Sequence, residues 1–411
     1  MEIHGYTHPC FRSLRRVLHL CLPVQGAGGA AMAVYHRGEL VAEIAAGTRD
    51  VRGRPLDTDT LCMCMSTSKG VLATLLHVIV DKGLVELDAP VAEYWPEFAQ
   101  NGKADITLRE VAAHKAGLYS IGRIIDSAEQ MFDWDLMTRA IARMQPLHVP
   151  GEDFGYHAWT MGWIIGEVLQ RATGELLPAL LETHLARPLD LDGLYIGLPE
   201  SELGRVAQVI LPRIPRYTLR GSVGSVRDKV RTRARTRARR STWIGELADA
   251  LIPPGLGDVL GDNRWITSVI PSANGVFNAR SLARLYGALA MGGEIDGVRL
   301  LSAKGLSVAT TTQNRAIGRI IPFPLGLKVG YMRIPTLGLR LPLGPRQLDL
   351  GIASPHAFGH FGMGGFGAWA DPERELGVGL VGNCFGGRVP LDARTVFVAT
   401  AVARIVDGLE N

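Results

Sequence analysis

The chain has 411 residues, 47% of them hydrophobic and 20% charged, with a net charge of +4. That balance suits a globular protein with a large core and excludes a disordered chain, and no apolar run reaches the roughly 20 residues a bilayer span needs. The charge is uneven: residues 213–240 hold eleven Lys or Arg and one acid, Asp228, while the remainder has 33 basic against 39 acidic side chains, so the chain is not a uniformly basic nucleic-acid binder.

At the N-terminus, Arg12, Arg15 and Arg16 precede an apolar stretch, Val17 to Leu22, that loosely imitates an export signal. His19 and Pro23 interrupt it, and the one Ala-x-Ala site, Ala31-Met32-Ala33, lies inside a strand pattern. The spacing therefore predicts an amphipathic first helix and a cytoplasmic protein. The five cysteines, Cys10, Cys21, Cys62, Cys64 and Cys384, are odd in number and contain no Cys-x-x-Cys pair, which fits a reducing compartment without a disulfide framework or zinc site.

Residues 30–36 and 39–47 are predicted strands around the turn Arg37-Gly38. Residues 66–82 carry Val71, Leu72, Leu75, Leu76 and Ile79 at helical spacing. Residues 107–114 predict a short helix with Thr107 as cap and Glu110 completing a capping box, and residues 158–173 a longer one broken by Gly174. From 201 to 264 no regular pattern persists. Arg alternates with Thr or Ala from Arg231 to Arg239, and a short apolar stretch, Trp243 to Ile252, ends at Pro253-Pro254. A helix at 279–291 follows, then strands at 356–362, 365–371 and 376–383, and a closing helix near 392–406. Strands at both ends with helices between imply an α/β protein of the α+β type. Its antiparallel sheet would be built from both termini, residues 1–60 and 275–411, with flanking helices. An inserted helical region, 61–274, would contain a basic insertion at about 201–264.

Three segments carry chemistry. In Ser66-Thr67-Ser68-Lys69 a serine and a lysine three apart share one helix face. A neutral lysine there can take the serine's proton; a charged one lowers the cost of the alkoxide. Alone this is a weak signal, since chance supplies Ser-x-x-Lys about once in a few hundred residues. The second segment is Pro150-Gly151-Glu152-Asp153-Phe154-Gly155-Tyr156-His157-Ala158, a Pro-Gly loop entering a helix. The third is Phe358-Gly359-His360-Phe361-Gly362-Met363-Gly364-Gly365, which alone would read as a glycine-rich turn.

Together these resemble the penicillin-recognising, β-lactamase-like serine hydrolases, class C in fold, and within them the family VIII carboxylesterases. Asp57 to Val85, Leu87 to Val91 and Ile106 to His114 resemble the family around its nucleophile, with Gly70 allowing close packing and Lys115 to Leu118 forming a structural turn. The resemblance implies catalytic Ser66, Lys69 and Tyr156, with Tyr156 as a tyrosinate base beside a charged lysine. It also implies a wall formed by His360 and Gly362, an oxyanion hole of the Ser66 and Met363 amides, and no cofactor or metal. Where the family usually has Tyr-x-Asn, this chain has Ala158, as in the esterase and acyltransferase branches. The expected function is hydrolysis of a small-molecule carboxylic ester through an acyl-enzyme on Ser66. The alternatives are a β-lactamase, a D-amino-acid peptidase or an acyltransferase using the same site. A different class is a non-catalytic protein that docks on an anionic membrane surface through residues 213–240. No specific nucleic-acid partner is expected.

Overall fold

In the computed structural model the two ends of the chain meet in one sheet; the structure describes residues 2–211, 243–321, 324–334, 339–343, 346–350, 354–385 and 393–409. The strands of this sheet are β1 (Ile3–Thr7), β2 (Gly29–His36), β3 (Glu39–Gly47), β4 (Met332–Arg333), β5 (Phe358–Phe361), β6 (Gly367–Asp371) and β7 (Leu376–Gly382). They lie in the order β1-β3-β2-β7-β6-β5-β4 with every neighbour antiparallel. The central pairing joins the termini: Ala31 opposes Val381 and Val34 opposes Val378. The helices that position the site are α1 (Leu14–Cys21), α2 (Thr67–Asp81), α3 (Leu108–Ala112), α4 (Thr160–Thr173), α5 (Trp243–Leu251), α6 (Ala279–Ala290) and α7 (Arg394–Asp407).

Successive strand side chains point to opposite faces, so β2 supplies two cores. Ala30, Met32 and Val34 join Leu14 and Leu18 of α1 and Val398 and Val402 of α7 on one face. Ala31, Ala33 and Tyr35 join α2, α6 and the helical region on the other. Leu14 and Leu18 are four apart and share one face. The Arg-flanked N-terminal stretch is thus a packed amphipathic helix, as its spacing predicts. Among the described residues no helix is long and apolar enough to cross a membrane.

Helix α2 is central. Every residue from Thr67 to Ile79 is buried, which is why apolar positions surround it rather than forming a stripe. At Gly70 a Cβ would lie 2.1 Å from the Tyr286 hydroxyl oxygen of α6 and 3.0 Å from the His360 Cβ of β5. The absence of a side chain lets α2, α6 and β5 converge. The capping box of α3 forms as expected: Glu110 N donates to Thr107 Oγ1 at 3.2 Å and Thr107 N to Glu110 Oε2 at 2.9 Å. Such a cap contributes about 1 kcal/mol. Helix α4 stops at Gly174, whose φ of 75° few other residues tolerate.

The structure departs from the sequence reading between 201 and 264. A 3-10 turn spans Glu200–Arg205, and α5 is followed by short helices Leu256–Val259 and Asn263–Thr267. Ala250 and Trp265 are fully buried. These pieces are too short, and too broken by Pro253, Pro254 and Gly255, to present a helical period. The basic segment 213–240 lies outside the described residues. The edge strands β1 and β4 carry no clear alternation, and sequence patterning did not mark them.

Candidate active site

The site begins where α2 begins. Met65 has a φ of 46°, a left-handed conformation that costs a non-glycine residue about 1 to 3 kcal/mol. This turn delivers Ser66 to the N-cap of α2, where its side chain makes no capping bond. One turn on, the Lys69 Nζ lies 3.1 Å from Ser66 Oγ and donates to the carbonyl oxygens of Ala158 at 2.7 Å and Ser272 at 2.9 Å. Lys69 is fully buried. That desolvation holds its pKa well below the ordinary lysine value, and no carboxylate offsets it. A neutral amine has two N–H bonds and one lone pair. A neutral amine that donates to both carbonyls would turn its lone pair toward the Ser66 hydroxyl.

Tyr156 is set by a template of main-chain contacts. The turn after α3 holds the loop before α4. Gly155 N donates to His114 O at 3.1 Å, and His157 N donates to His114 Nδ1 at 3.0 Å. Leu118 N donates to His157 Nε2 at 2.9 Å, and Thr160 Oγ1 to Leu118 O at 2.7 Å. The His114 ring packs on the Tyr156 ring at 4.7 Å between centroids. Burial pushes the Tyr156 phenol above its ordinary range, and a hydrogen bond shared with the Ser66 side chain offsets part of the rise. The expected tyrosinate–ammonium pair is therefore disfavoured at both ends, because desolvation penalises each charged form. A neutral phenol beside a neutral amine is the arrangement this interior supports.

The far wall is β5 and the turn after it. His360 is buried, with Nδ1 3.0 Å from Phe361 O. Desolvation is the main cause that holds its pKa down to about 3, so it is a neutral packing group at ordinary pH. At Gly362 a Cβ would lie 2.5 Å from Cys64 O and 3.0 Å from Ser66 N. Only glycine lets this turn rest against the Ser66 amide. The turn is braced by Gly362 N donating to Phe366 O at 2.8 Å and by Thr395 Oγ1 donating to Gly365 O at 2.9 Å. The Arg394 guanidinium donates to Gly364 O. Among the described residues, neither the Ser66 nor the Met363 N–H has a backbone acceptor, and both residues line the same cavity.

That cavity has a volume of about 630 Å³ and is apolar. Ser66 and Tyr156 line it together with Leu247, Leu251 and Ile252. The short apolar stretch from Trp243 is thus α5, whose Leu247, Ala248 and Leu251 line the same cavity as Ser66. No Lys, Arg, Asp or Glu lines the cavity among the described residues. The structure brings together Ser66, Lys69, Tyr156, His360, Gly362 and Met363. It adds two groups that sequence reasoning missed, the carbonyls of Ala158 and Ser272. No motif could mark these, because any residue supplies a carbonyl.

The beta-lactamase family model matches residues 19–403. Esterase/beta-lactamase LipL of Mycobacterium tuberculosis is 34% identical over 388 residues, covering 93% of this chain and 83% of that protein. The crystal structure of a family VIII carboxylesterase superposes with a TM-score of 0.81 at 31% identity, covering 98% of this chain and 100% of the other. A penicillin-binding protein homologue from Caulobacter crescentus gives 0.80 at 32% identity, covering 98% of this chain and 100% of the other. A family match along nearly the whole chain, with relatives alike over most of their length, means that this chain belongs to the beta-lactamase family and is a serine hydrolase of that fold.

Proposed function

We propose that the chain hydrolyses carboxylic esters through an acyl-enzyme on Ser66. The observation that carries this reading is a buried Lys69 amine beside the hydroxyl of Ser66, a residue that lines an apolar cavity with no charged lining among the described residues. Relatives that bear esterase names support the same choice of substrate.

In the proposed cycle Lys69 accepts the hydroxyl proton as Ser66 Oγ bonds to the ester carbonyl carbon. The Ser66 and Met363 N–H groups hold the oxyanion; one such donor is worth about a hundredfold to a thousandfold in rate. The bond to the alcohol oxygen then breaks. Tyr156 donates its proton to the departing alkoxide and is reprotonated from Lys69. A water repeats the attack, the Oγ–acyl bond breaks, and acid and free serine result.

Ala158 bears on substrate preference. Its methyl group lines the cavity where a side-chain amide would hydrogen-bond a peptide-like substrate. Losing one such buried bond costs about 1 to 3 kcal/mol, roughly fivefold to a hundredfold in discrimination. An amide nitrogen also leaves less readily than an activated alcohol. We expect p-nitrophenyl butyrate to be turned over readily. A chromogenic cephalosporin should be opened about a hundredfold less efficiently by kcat/KM, and D-Ala-D-Ala peptides not detectably. A cephalosporin efficiency equal to that for the ester would make the protein a β-lactamase instead.

The pH profile tests the base. Only the unprotonated amine accepts the serine proton, so kcat/KM should rise with pH through the Lys69 pKa. Burial places that limb below the ordinary lysine value of 10.5. Lys69→Ala should flatten it in the residual activity. A limb unchanged in the variant would assign the proton acceptor elsewhere.

A further inference from the structure

A second cavity, of about 400 Å³, adjoins the first and shares Leu325 and Phe361 with it. A small ladder builds its wall. Leu327 bridges both Asn314 and Met332. Gln313 N donates to Leu327 O at 2.7 Å, and Lys328 N donates to Tyr331 O at 2.8 Å. The residues flanking those bridges are Arg315, Lys328 and Arg333, and all three line this cavity. No Asp or Glu lines it among the described residues.

Two arginines elsewhere show the opposite arrangement, with carboxylates gathered around them. Arg280 lies against Glu43, Asp59 and Asp192, and Arg374 against Asp371 and Asp407. Here three cations converge without a carboxylate among the described residues. Lys328 is only 6% exposed, and its Nζ donates to Thr310 O at 2.7 Å. Burial and the charges of Arg315 and Arg333 together lower its pKa. Arg315 and Arg333 are exposed and Lys328 is buried; like charges lining one concave place repel, and an anion there would offset that repulsion. The guanidinium fork matches carboxylate and phosphate oxygens in pairs.

We infer that the second cavity binds an anionic group, carboxylate or phosphate, at the far end of a substrate whose apolar chain lies in the first cavity. The substrate class is then an amphiphilic ester with an anionic tip. The inference rests on the ester-hydrolase reading of Ser66 for the reacting end. The anion site itself does not depend on that reading.

The test uses the full chain and p-nitrophenyl esters over a series of acyl lengths, each tipped with methyl, carboxylate or phosphate. At the length that spans both cavities, one anionic tip should exceed the methyl tip in kcat/KM by about tenfold or more, mainly through KM. Which tip gains more identifies the anion. High salt should shrink the advantage, and the double variant Arg315→Ala/Arg333→Ala should abolish it. No preference at any length, or one that survives the double variant, overturns the inference while leaving ester hydrolysis intact. If no methyl-tipped ester is hydrolysed, the ester reading fails and the site is judged by inorganic phosphate alone. Phosphate should then raise the thermal midpoint of the wild type and not of the double variant; equal shifts, or none, overturn the anion site.

Discussion

Ser66→Ala should lower kcat/KM for p-nitrophenyl butyrate by on the order of 10⁴-fold and remove stoichiometric labelling by a fluorophosphonate. The variant deletes one oxygen from a residue that makes no capping bond to α2. The fold should therefore keep its thermal midpoint, and the loss should report chemistry rather than unfolding. Some rate over water should remain, because the Ser66 and Met363 amides would still bind the oxyanion. Intact-protein mass after labelling is the check. If Ser66→Ala still gains one adduct, the nucleophile is another residue.

Lys69→Ala and Tyr156→Phe should each lower kcat by about a hundredfold or more, and the double variant should be little worse than either. In the proposed cycle both groups handle one proton: Lys69, 3.1 Å from Ser66 Oγ, would collect it, and Tyr156, which lines the same cavity as Ser66, would deliver it to the leaving oxygen. Removing either breaks the same path. Tyr156→Phe keeps the ring packed on His114 and should be structurally mild. Lys69→Ala leaves the Ala158 and Ser272 carbonyls without their donor, and each orphaned group costs about 1 to 3 kcal/mol of stability. The two variants should thus differ in thermal midpoint while agreeing in kcat. Losses that multiply fully in the double variant would mean that the residues act on separate protons.

Much of this site is visible in the primary structure because it depends on side-chain identity at short spacing. Ser66 and Lys69 are three apart on one helix, Thr107 and Glu110 make their own cap, and short apolar runs around the Arg37-Gly38 turn mark a strand pair. The last strands, 358–382, are marked by similar short runs of apolar and small residues. Each of these features is decided within a turn of helix or a few strand residues, where chain connectivity already enforces the neighbourhood.

Other features needed the assembled chain. The protonation of Lys69 and Tyr156 is one: the sequence allowed a charged pair, and burial by helices far apart in the chain favours the neutral one. The two carbonyls that aim the lysine, from Ala158 and Ser272, carry no side-chain signature. Helix α5 reads as a loose apolar stretch until its leucines line the cavity that Ser66 also lines, and Arg315, Lys328 and Arg333 read as scattered charge until Leu327 bridges two segments. The sequence by itself determined the family and nominated Ser66 and Lys69 for the proposed chemistry, because those rest on local spacing and side-chain identity. The tertiary structure alone decided the direction in which the Lys69 and Tyr156 pKa values move, the apolar cavity lining and the cationic neighbour, because desolvation and concavity are sums over residues that only folding brings together.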